Sequence, residues 1–183
     1  MFLEKLKNSP KNLILVIIAI IGFLIFILIN QLVFAPLAKL VPTYGILDFE
    51  FAWIPETIQT IFTVWGTEGM NLQTLGVYWD LLYIIGYSLF IFGSIVLVSR
   101  RLTRKLENVG LILSLTPLIA GLFDLIENIN LLIMLNNPNT FPSFIPLVTS
   151  ISATIKFGFL FIGIIFFFLA LVIAIIMLIR KKS

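Results

Sequence analysis

Apolar residues in this chain gather into four long runs, at residues 13–34, 77–98, 108–135 and 147–179, with shorter polar stretches between them. A helix rises about 1.5 Å per residue and the hydrocarbon core of a bilayer is about 30 Å thick, so about 20 apolar residues are enough to cross it. Each run meets that length, and each predicts a membrane-spanning helix. The first run carries polar groups only at Asn30 and Gln31, near its end. It is longer than the apolar core of about 7–15 residues that a signal peptide carries. Ala35-Pro36-Leu37-Ala38 is also a poor cleavage sequence, so the run is expected to remain as an uncleaved span.

The longest stretch between runs, residues 35–76, has two patterns of its own. Over 46–53, Leu47, Phe49, Phe51 and Trp53 alternate with Asp48 and Glu50, a period of two that predicts a short strand or extended piece. Pro55 then suits the first position of a helix. Ile58, Ile61, Phe62 and Trp65 follow at i, i+3, i+4 and i+7, with Glu56, Gln59, Thr60 and Thr63 opposite. That is an amphipathic helix. It either lies on the bilayer surface or packs on the end of the bundle, and Gly66 and Gly69 punctuate its end. Pro117 lies inside the third run and predicts a kink, which membrane helices tolerate. Gly86, Gly93, Gly158 and Gly163 are expected to let helices approach closely.

Basic residues orient the spans. Lys5, Lys7 and Lys11 precede the first. Arg100, Arg101, Arg104 and Lys105 lie between the second and third, and Arg180, Lys181 and Lys182 follow the fourth. Lys39 falls on the other side, and Lys156 within the membrane. Cytoplasmic loops are rich in Lys and Arg, so the expectation is a multi-pass protein of the cell membrane with both termini cytoplasmic. The fold class is an all-α membrane protein: a four-transmembrane-helix bundle in one domain (residues 1–183), with an extracytoplasmic loop and amphipathic helix at 35–76 between spans one and two.

Composition narrows the chemistry. The chain is 60% hydrophobic and 11% charged, far from the quarter or so charged of soluble domains. It has no Cys and no His, which removes disulfides, thiolate nucleophiles and the commonest metal ligands. Zinc, haem and Ser-His chemistry are not expected, and neither is any cofactor or metal. The basic residues cluster at membrane edges, which argues against nucleic acid as a partner.

What remains is polar chemistry inside the spans. Asp124, Glu127 and Asn128 are spaced i, i+3, i+4 and share one face of span three. Asp80, Tyr83 and Tyr87 share a face of span two, and Lys156 is the lone charge of span four. Ionisable groups in a spanning helix are costly and mark a site by default. Counted inward from the span ends, Asp80, Asp124, Glu127 and Lys156 all lie in the outer half, so they can meet in one layer with Lys156 paired to Asp124 or Glu127. Three function classes follow. The first is a site for a lipid or amphipathic small molecule. It is formed by Asp80, Tyr83, Tyr87, Asp124, Glu127, Asn128 and Lys156, with carboxylate acid/base catalysis as its chemistry if it is an enzyme. The second is a structural or accessory subunit, within an oligomer or membrane complex, held by a sealed salt-bridge network. The third is a cation or proton translocator, which needs a polar path beyond Ser94, Ser99 and Ser114. Membrane lipids are partners in every case.

Four features together resemble small uncharacterised prokaryotic four-span membrane proteins. They are Trp65, Gly66 and Gly69 ahead of span two, Asp80 and Tyr83 within it, the D-x-x-E-N of Asp124, Glu127 and Asn128 in span three, and the lone Lys156. The resemblance implies the four-span fold and carries no activity with it. A second likeness, at the level of fold only, is to the EXPERA sterol-isomerase and sigma-2 receptor group. Its four spans surround a lipid-sized cavity with intramembrane carboxylates; this chain departs from it in having no carboxylate in span one.

Overall fold

The computed structural model describes residues 2–40 and 43–182, and these are helical throughout apart from short connections, with no strand among them. A short α1 (Phe2–Asn8) precedes α2 (Asn12–Ile29), which runs through one π-helical turn (Asn30–Phe34) directly into α3 (Ala35–Leu40). Then come α4 (Ile46–Glu50), the very long α5 (Pro55–Ser99), α6 (Arg104–Leu113), α7 (Thr116–Asn136) and α8 (Ile145–Lys182). Four helical stretches are long and apolar enough to cross a membrane: Asn12–Leu40, Pro55–Ser99, Arg104–Asn136 and Ile145–Arg180. Their outward faces carry a dense population of exposed Leu, Ile, Val and Phe, the surface that a membrane solvent requires.

The amphipathic segment joins the second span without a loop. Its end is a kink at Gly66, whose φ of 58° and ψ of −172° lie where L side chains rarely go. Beyond it the helix continues without a loop to Ser99. Ile58, Ile61, Phe62 and Trp65 all point into a core with Phe49, Leu131, Met134, Leu135 and Ile145. The amphipathic helix therefore packs on the end of the bundle. Trp65 Nε1 donates to Tyr44 O at 2.8 Å and Gln59 Nε2 to Pro138 O at 2.6 Å, tying it to both connecting segments.

Residues 46–53 are not extended. Asp48 Oδ2 accepts from Gly45 N at 2.7 Å, satisfying a free amide at the start of a helix, and α4 forms. Phe49 and Glu50 are buried while Leu47 is 55% exposed. The apparent period of two thus came from a single helical turn followed by an irregular exit through Trp53, whose φ is 62°. The third span breaks at Ser114–Leu115, between α6 and α7, and Pro117 stands in the first turn of α7, the position proline tolerates best.

α5 is the hub, packing against α2, α7 and α8, while α2 packs chiefly on α5. At the α2–α5 crossing a Cβ on Gly22 would stand 2.5 Å from Phe90 N and 2.6 Å from Gly86 O. The two backbones touch there, as small residues permit in membranes. Gly93 and Gly163 also sit at close approaches, but nothing lies within 4 Å of a Cβ on Gly158, so that glycine opens onto free space. At the opposite end from α4, the Arg100 guanidinium donates to Leu6 O, Pro10 O and the Asn12 side chain. The basic segments around α1 and around the α5–α6 connection therefore share one end of the bundle.

Candidate functional site

Lys156 Nζ stands among three carboxylates: Glu127 Oε1 at 2.8 Å, Asp124 Oδ1 at 3.2 Å and Glu50 Oε2 at 3.2 Å. The spacing of α7 puts Asp124, Glu127 and Asn128 on the face turned to α5 and α8, and all three are buried. Tyr87 donates to Asp124 Oδ2 at 2.8 Å, so both oxygens of that carboxylate are engaged. Asn128 Nδ2 donates to Asp80 Oδ2 at 2.7 Å, linking α7 to the polar stripe of α5. The ammonium also lies 4.7 Å from the centre of the Phe157 ring, a cation–π distance. Glu127 is fully buried, and its Oε2 has no hydrogen-bond partner.

Six of the seven residues singled out in the sequence take part in these bonds, in two groups: Tyr87, Asp124, Glu127 and Lys156 in one, Asp80 and Asn128 in the other. Lys156 pairs with both acids of α7 rather than one. Tyr83 enters differently, packed by its ring against Phe26, Phe34 and Tyr87. Thr149 and Ser152 share the Lys156 side of α8 and are buried, and the Thr149 hydroxyl bonds back to Ile145 O.

Glu50 was not among the expected site residues. An extended 46–53 sets it on a polar face beside Asp48, in the segment between spans one and two. The signal that could have found it was an acid enclosed by Phe49, Phe51, Ala52 and Trp53. It is carried into the layer by α4 and held by Ser150, whose hydroxyl donates to Glu50 O at 2.8 Å and accepts from Trp53 N at 3.0 Å. Burial pushes the Glu50 carboxyl above its ordinary range, against the pull of the Lys156 ammonium.

The polar layer forms one end of a cavity of about 700 Å³. Glu50, Gln73, Asp80, Asp124, Asn128 and Lys156 are at this end, which α4 covers. Away from it the walls become apolar, with Phe90 and Ile91 of α5 facing Leu160, Ile164 and Phe167 of α8. Phe161 and Phe168 also line it and are 61% and 59% exposed. The apolar arm is therefore open sideways toward the surroundings of the bundle, along α8. Asn30, in the π-turn of the first span, lines the same space; such turns often mark functional positions.

Electrostatically the layer holds four carboxylates, Glu50, Asp80, Asp124 and Glu127, against one ammonium. Charges removed from water without compensation are costly, and the carboxylates of this layer outnumber its one ammonium. No known protein family, no curated protein and no solved structure matches this chain.

Proposed function

We propose that this multi-pass membrane protein binds a lipid or amphipathic small molecule in the cavity between α2, α5 and α8. The observation that carries the reading is the joining of a buried charged layer to an apolar arm in one continuous space of about 700 Å³. Small-molecule pockets run to about 300–1,000 Å³ and combine apolar walls with a few placed polar groups. The head of the ligand meets Asp80, Asp124, Asn128, Tyr87 and Lys156, and its tail lies among Phe90, Ile91, Leu160 and Ile164. With the basic end of the bundle cytoplasmic, both termini are cytoplasmic and the polar layer lies in the outer half of the membrane under the α4 cover.

A second reading has its own support. Lys156 and Glu127 are 5% and 0% exposed and the ammonium has three carboxylate partners, as a sealed network in a structural or accessory subunit would have. The translocator reading has no such support: Ser99 and Ser114, on the basic side, donate to Ile95 O and Leu111 O of their own helices.

The test is native mass spectrometry with lipid extraction on the full chain purified in mild detergent, comparing the wild type with Ser94→Trp, which fills the apolar arm. A co-purifying amphiphile lost in the variant, with thermal stability retained, supports the binding site. A wild type without any bound amphiphile, and with the same stability as the variant, overturns it in favour of the structural network.

A further inference from the structure

Asp80 stands apart from the other carboxylates. Glu50, Asp124 and Glu127 all contact the ammonium; Asp80 has no ion pair among the described residues. Its hydrogen-bond partner is the neutral amide of Asn128, and it lines the cavity. Seven residues before it, two helical turns along the same stripe of α5, Gln73 also lines the cavity. Gln73 is only 2% exposed, and its side-chain oxygen has no hydrogen-bond partner. A buried acceptor without a donor is costly, and buried polar groups in folded proteins are nearly always paired. The two residues lack complementary things: Asp80 a positive charge, Gln73 a hydrogen-bond donor. One chemical group supplies both.

We propose that the amphiphile is a single-chain amine, its ammonium group paired with Asp80 and donating an N–H to Gln73, and its alkyl chain lying in the apolar arm. This rests on the reading of the cavity as an amphiphile site and specifies its ligand class. The charge balance of the layer favours it, since an ammonium reduces the carboxylate excess that Lys156 leaves. An anionic head, such as that of a fatty acid, adds to the excess. A quaternary ammonium matches Asp80 in charge but has no N–H for Gln73. A neutral alcohol has the donor but not the charge. Gly76 lies between Gln73 and Asp80 on the cavity wall, where a Cβ would meet Leu37 Cδ2 at 3.2 Å and Gln73 Oε1 at 3.9 Å.

The experiment uses the full chain in phosphatidylcholine nanodiscs at neutral pH, with empty nanodiscs as the blank. Four probes of equal chain length are titrated by calorimetry: dodecylamine, dodecyltrimethylammonium, dodecanol and dodecanoate. A charge-assisted hydrogen bond corresponds to about tenfold or more in affinity. Dodecylamine is therefore expected to bind at least about tenfold tighter than the other three, with dodecanoate weakest. Asp80→Asn, which keeps an oxygen for Asn128, should erase the preference for dodecylamine over dodecanol. Gln73→Leu should erase its preference over dodecyltrimethylammonium. Unchanged thermal midpoints in both variants assign the losses to the site. Equal binding of all four probes, or an order that Asp80→Asn leaves intact, overturns the proposal. If Ser94→Trp still abolishes binding in that case, the cavity reading stands and only the head group is wrong. If Ser94→Trp changes the binding of none of the probes, the cavity reading falls as well.

Discussion

Replacing Lys156 by Met removes the one ammonium of the buried layer while nearly keeping its volume. In the wild type the contacts at 2.8, 3.2 and 3.2 Å correspond to a gross attraction of about 5–6 kcal/mol each at an effective dielectric near 20. These do not add. The carboxylates repel one another, and desolvation of all four groups consumes most of the gain. What a mutation measures is the cost of leaving buried carboxylates without their cation, about 3–5 kcal/mol for a broken buried pair. Lys156→Met should therefore lose about that much in reversible unfolding in mixed micelles. Glu127→Gln alone should cost less, since Asp124 and Glu50 still hold the ammonium. The double variant discriminates. If Glu127, the closest partner, is coupled to Lys156, the double variant is more stable than the sum of the single losses by about 1–3 kcal/mol. A Lys156→Met loss under about 1 kcal/mol, or strictly additive losses, would refute the picture of a charge network organised by Lys156.

Further outcomes follow from the same contacts. Ser150→Ala leaves the Glu50 carbonyl and the Trp53 amide without their shared partner; it should cost about 1–3 kcal/mol and speed hydrogen exchange at Trp53. Gly22→Leu drives a side chain into the α5 backbone at Phe90 and Gly86; a loss of about 1–3 kcal/mol or separation of the first span, seen as increased proteolysis after α2, is expected, whereas Gly158→Leu should be nearly neutral. The raised Glu50 carboxyl binds its proton more tightly folded than unfolded. Its contribution to stability is thus greatest below the ordinary carboxylate range and is lost as pH rises through the folded value. The wild type should lose stability over that window, and Glu50→Gln should flatten the profile. Because the chain has no Cys, single cysteines at Glu68 and Lys105 can report topology: an impermeant thiol reagent applied to whole cells should label the first and not the second.

Much of this protein is local in origin and so legible in the residues alone. Four apolar runs of spanning length make four helices because an unpaired backbone is intolerable in lipid. The i, i+3, i+4 spacing of Asp124, Glu127 and Asn128 makes one face wherever the helix sits, and so does the stripe from Ile58 to Trp65. Pro55 and Gly66 mark their own turns by the backbone angles they require or allow. Other features depend on neighbours distant in sequence. Residues 46–50 coil with a local bond from the Gly45 amide to Asp48, but the core that receives Phe49 comes from Leu131, Met134 and Ile145, far along the chain. Glu50 reaches Lys156, 106 positions away, with Ser150 bonded to its backbone and Phe49 and Ala52 in the core, and no periodicity along the chain encodes that. Gly158 and Gly163 look alike in sequence but face, respectively, open space and the side chain of Thr116. The cavity is lined from α2, α5 and α8 together, and α2 packs chiefly on α5, an arrangement that no single run of the chain contains. Patterns within a helix determine which residues share a face; only the packing of helices decides what that face meets.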